Sequence, residues 1–65
     1  MAKKQFEIMA YYLEGVRPGE TANKVAKLTW AKTVIAIANS LAEFNPKFNR
    51  NKFYTACGGI DEYLN

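Results

Sequence analysis

Three cations, Lys47, Arg50 and Lys52, stand within six residues of one another and alternate with Asn45, Asn49, Asn51 and the aromatic Phe48. Cations at that density, interleaved with amides and a ring, are the side chains that meet phosphate and bases, so this is the chain's candidate nucleic-acid contact. A helix, a turn and a second helix with basic residues at its start also give a loose helix-turn-helix outline. The competing reading is an ordinary solvated face, and the turn is long for that motif.

Other chemistry is sparse. Cys57 is the sole cysteine and histidine is absent, so the commonest general base and the commonest metal ligand are both missing. Cys57 falls at the end of a predicted helix, where the dipole disfavours a thiolate, and its spacing from Phe53 suits a buried small hydrophobe. The six carboxylates Glu7, Glu14, Glu20, Glu43, Asp61 and Glu62 form no close helical pair. With no phosphate-cradling glycine loop and no nucleophile triad, the sequence predicts a protein that is not an enzyme, with no catalytic residue, cofactor or metal.

The elements that carry these residues are helices. About half of the 65 residues are hydrophobic, and four phenylalanines, four tyrosines and a tryptophan supply enough apolar bulk for one small domain spanning residues 1–65. From Lys3 to about Val16, Phe6, Met9, Ala10, Leu13 and Val16 recur at helical spacing, and Ile8, Tyr11 and Tyr12 widen that face. Arg17-Pro18-Gly19-Glu20 is a loop, after which Thr21 can cap a helix. From Ala22 to Phe44 neither glycine nor proline intervenes, which predicts one helix of roughly 35 Å.

That long helix carries two apolar stripes. Trp30, Val34, Ile37, Leu41 and Phe44 follow one; Val25, Leu28, Ala31, Ile35, Ala38 and Ala42 follow the other. A helix apolar on two sides must be covered on two sides. The predicted fold is therefore all-α: a three-helix domain with a long central helix, or a helical homodimer in which one stripe meets its symmetry mate. The second reading is favoured, because the other helices are shorter than the surface to be hidden. Its candidate interface is Tyr12, Trp30, Val34, Ile37, Leu41 and Tyr63, with Tyr12 and Tyr63 expected at the surface.

The segment from Phe44 to Gly59 has the most legible local design. Asn45-Pro46 stops the long helix. Asn49 is placed as an N-cap, Phe48 and Phe53 flank it as a hydrophobic staple, and Gly58 ends a short helix from about Arg50 to Cys57. In the tail, Ile60, Tyr63 and Leu64 sit at i, i+3 and i+4, so a last turn can pack back on the core, with a docking element or a frayed end as equal alternatives.

Both ends resemble short helical proteins encoded by bacteriophages and bacterial mobile elements, which open on K-x-F-E-x-x-A and close on N-P-x-F-x-R-x-x-F-x-x-A-C-G. The matching residues are Lys4, Phe6, Glu7 and Ala10, then Asn45, Pro46, Phe48, Arg50, Phe53, Ala56, Cys57 and Gly58. Asn49 replaces the aspartate usual at the cap, and the unusually apolar middle is not covered. The resemblance implies a phage-type accessory protein of helical fold, with no assigned activity for the group.

The net charge of +3 permits an acidic partner without requiring one. No run is long enough to span a bilayer and the first residues lack a signal-peptide core, so no membrane association is expected and the location predicted is cytoplasmic, in the host cell if the chain is phage-encoded as the resemblance implies. The leading functional expectation is a non-enzymatic protein that binds and blocks a host protein such as a defence component. The alternatives are a nucleic-acid-binding regulator using Lys47, Arg50 and Lys52, and sequestration of a small signalling nucleotide at a subunit interface.

Overall fold

The computed structural model describes residues 3–64 and is all-α. Helix α1 spans Lys3–Gly15, α2 spans Lys24–Phe44 and α3 spans Arg50–Ala56; a 3-10 turn, η1, follows at Asp61–Tyr63. No strand occurs among the described residues.

Each boundary has a local cause. The α2 N-cap is Asn23 rather than Thr21: the Asn23 carboxamide oxygen accepts the Ala26 N–H at 2.8 Å. The helix starts two residues later than the sequence predicts: the Ala22 N–H closes a turn on the Gly19 carbonyl, and the Lys27 N–H bonds to the Asn23 carbonyl at the start of the helical ladder. At the other end Asn45 caps α2, and its side chain accepts the Lys47 N–H across Pro46. The predicted cap and staple of α3 are present. Asn49 accepts from the Lys52 N–H, and the Phe48 and Phe53 rings lie 5.5 Å apart.

The end of α3 is a Schellman motif. The Gly59 N–H reaches the Tyr54 carbonyl and the Gly58 N–H reaches that of Thr55. Gly58 has φ +102°, and a Cβ there would stand 2.8 Å from Arg17 Cδ, so backbone angle and close approach both demand glycine.

Although α2 is the longest element, α3 is the hub, lying against both α1 and α2, while η1 packs on α2. The core joins Ala10, Phe53, Cys57, Ile60 and Tyr63 to Trp30, Ala31, Val34, Ala38 and Leu41 of α2. This corrects the two-sided reading of α2. At about 100° per residue, the inner members of the two stripes are neighbouring edges of one arc. The opposite side carries Lys32, Thr33, Asn39, Ser40 and Glu43, all exposed. What remains uncovered is at the helix ends, Val25 and Phe44, the latter 82% exposed.

The candidate interface is corrected accordingly. Trp30, Val34, Leu41 and Tyr63 are buried by their own chain and Ile37 is half-buried, which leaves Tyr12 as the one member fully presented to solvent. Tyr63 is only 5% exposed, because η1 folds it back onto Trp30 with the rings 5.7 Å apart and edge-on. The inward face of α1 is also narrower than its periodicity suggested. Ala10 is buried and Phe6 and Leu13 are partly so, whereas Ile8, Tyr11, Tyr12 and Val16 are exposed.

Candidate functional site

Three places on the molecule gather side chains that could act on a partner or ligand. The first is the basic turn. Lys47 precedes α3 while Arg50 and Lys52 lie in its first turn, all three exposed, and no ion pair engages them among the described residues. Lys47 borders one depression with Lys52 and another with Arg50, and at i and i+2 Arg50 and Lys52 point to different sides of α3.

Beside them opens a cleft of about 410 Å³ between the start of α1 and the turn leading into α3. Its floor is aromatic: Phe6 packs on Phe48 with ring centroids 4.7 Å apart, and Phe48 packs on the buried Phe53. Lys47 and Lys52 line one wall and Glu7, from α1, lines the other. Sequence spacing alone gives no reason to pair Phe6 or Glu7 with the basic turn. The only trace of that pairing was a resemblance covering both ends of the chain.

The second place is the outward face of α1. Tyr11 and Tyr12 are each 69% exposed and meet edge-to-face at 5.4 Å, with Ile8 one turn earlier and Val16 one turn later. A helix normally turns charge to water on the side away from its core. Here that side carries large apolar groups.

The third place is a clamp around Arg17, which sequence reasoning left in a loop. Its guanidinium lies 4.2 Å from the Tyr63 ring centroid and 5.5 Å from that of Trp30. Nε and Nη2 donate to the Gly59 carbonyl, and Nη2 stands 2.7 Å from Glu62 Oε1. The Tyr63 hydroxyl donates to the Pro18 carbonyl, and Trp30 Nε1 donates to the Leu13 carbonyl at 3.0 Å. Lys27 donates to the Glu20 carbonyl and lies 5.6 Å from the Tyr63 ring centroid. Each cation here is already engaged, so this constellation ties the first loop to the C-terminal segment. No periodic signal marks a single arginine that acts across 42 or 45 residues.

Cys57 is fully buried, and its thiol is pushed up to about 11, first by desolvation and then by the nearby Glu14 carboxylate. At neutral pH it is a neutral apolar filler, in keeping with its spacing from Phe53. No group of three or more metal-ligating side chains gathers among the described residues, and no helix there is long and apolar enough to cross a membrane.

Neither a family model, nor a curated protein, nor a solved structure matches this chain.

Proposed function

We propose that the protein is a non-enzymatic binding protein that engages a partner protein through the outward face of α1. The observation that carries this reading is the exposure of Tyr11 and Tyr12 with Ile8 and Val16 on one side of a helix whose other side already serves the core. Tyrosines in that setting give large contact area at small entropic cost and dominate binding hot spots. Action by steric occlusion suits a chain without histidine and with its single thiol buried. The resemblance of its ends to phage-type accessory proteins directs the search to a host protein in the host cytoplasm, a defence component among the candidates.

The test is capture from host lysate with wild-type protein and with a Tyr11→Ser/Tyr12→Ser variant, followed by binding of the identified partner in purified form. Both tyrosines are exposed, so the variant is expected to fold normally and to lose the partner. A partner retained at full affinity by the folded variant refutes the α1 face as the binding surface.

A second reading rests on Lys47, Arg50 and Lys52, which are exposed, unpaired with any described carboxylate and grouped at one turn. They support a nucleic-acid contact whose affinity falls steeply with salt. If no oligonucleotide is shifted at low salt, or the shift survives glutamate at all three positions, that reading is wrong.

A further inference from the structure

We propose that the cleft between α1 and the turn before α3 is a ligand site within a single chain for a planar aromatic anion of mononucleotide size. Its volume, about 410 Å³, falls in the range of roughly 300–1,000 Å³ typical of small-molecule clefts.

The hydrogen-bonding capacity of the walls decides the class of ligand. Asn45 and Asn49 both line the cleft, and in each the carboxamide oxygen is already committed, to the Lys47 N–H and the Lys52 N–H respectively. Each amide keeps its NH₂ group as a donor, and its oxygen keeps one further lone pair. With the Lys47 and Lys52 ammonium groups, the wall formed by the turn and α3 thus carries two cations beside two amide donors. Two ammonium groups with amide donors beside them favour an anion over a cation.

The α1 wall has the opposite character. Glu7 is an acceptor, suited to an amino or hydroxyl donor at the far end of the same ligand. Between the two walls, the half-buried rings of Phe6 and Phe48 offer aromatic surface on which a flat base can lie. Anion at one end, aromatic body in the middle and donor at the other end together describe a nucleoside monophosphate. Such a site is complete in one chain, whereas the sequence placed nucleotide sequestration between subunits.

The experiment is a low-salt titration of ¹⁵N-labelled protein with AMP, and separately with adenosine, inorganic phosphate and a short single-stranded oligonucleotide. Saturable AMP shifts are expected at the backbone amides of Phe6, Lys47, Phe48 and Lys52, with adenosine and phosphate each binding more weakly than the intact nucleotide. Lys47→Glu/Lys52→Glu should weaken AMP by about tenfold or more while the melting temperature is kept. Glu7→Gln should weaken AMP and leave phosphate unchanged. The proposal is overturned if AMP gives no saturable shift, if phosphate binds as tightly as AMP, or if the folded double variant binds AMP like the wild type. Binding of the oligonucleotide with AMP silent also overturns it, and assigns the turn to nucleic acid instead.

Discussion

The molecule has two regions where cations meet aromatic rings, and they differ in what those cations have left to give. At the Arg17 clamp the guanidinium faces two rings, a carbonyl and a carboxylate, all within the chain. At the cleft, Lys47 and Lys52 border the Phe6, Phe48 and Phe53 rings with no ion pair of their own among the described residues. The same chemical ingredients therefore serve stability at one end and stand available at the other. A group whose valences are filled at home holds the fold, whereas one whose valences are open can recognise something else.

This contrast predicts a gradient of effects. Trp30→Ala, at the clamp's centre, should cost about 3–5 kcal/mol and leave so short a chain largely unfolded, as read by circular dichroism and denaturant titration. Survival of a cooperative transition with little loss would show that the clamp is not where the stability lies.

Gly58→Ala comes next, with an expected loss of about 1–3 kcal/mol, because the methyl group meets both an unfavourable φ and the Arg17 side chain. Pairing it with Arg17→Ala in a double-mutant cycle separates the two causes. The clash disappears in the double variant, while the backbone strain remains.

Arg17→Ala alone should cost about 1–3 kcal/mol, whereas Glu62→Gln should cost less than about 1 kcal/mol and lose even that in high salt, since Glu62 is 72% exposed. Equal losses would mean that the ion pair, and not the contacts with the rings and the Gly59 carbonyl, carries the clamp.

Cys57 gives a pH signature. Its thiol holds its proton to about 11 in the fold against an ordinary 9.0, so between those values the unfolded chain has released a proton that the folded chain keeps. Stability then falls as pH rises through that window, and this component is flat below it. Urea titrations across pH 8–11 should show a steeper alkaline decline for the wild type than for Cys57→Ala.

The smallest stability effect is expected at the cleft: Lys47→Ala and Lys52→Ala should each shift stability by no more than about 0.5 kcal/mol. A larger loss would make these lysines part of the scaffold and erase the contrast between the two regions.

How much of this was legible in the sequence depended on distance along the chain. The Asn49 cap, the Phe48–Phe53 staple, the glycine stop and the Pro46 break were all readable, because each works within a few residues and has a fixed spacing. The final turn was readable only in part: Ile60 and Tyr63 are buried, but Leu64 is 42% exposed and Tyr63 was expected at the surface. The grouping of Lys47, Arg50 and Lys52 also followed directly from their positions. Thr21 was misread because Asn23, two residues on, is an equally good capping residue and it is Asn23 that accepts the Ala26 N–H, while Gly19 to Ala22 form a turn.

Sequence alone thus determined that the chain is all-helical, where its second and third helices stop, and which cations stand together. Those outcomes follow from short-range sterics and hydrogen bonding. Only the tertiary structure decided that the two stripes of α2 make one buried face, that Tyr63 goes inward while Tyr11 and Tyr12 stay outside, and that Phe6 and Glu7 join the basic turn to form a cleft. Periodicity states that a side chain is apolar and which way it points around its own helix. Which neighbour arrives to cover it depends on the packing of α1, α3 and η1, and on an arginine whose hydrogen-bond partners lie 42 and 45 residues away.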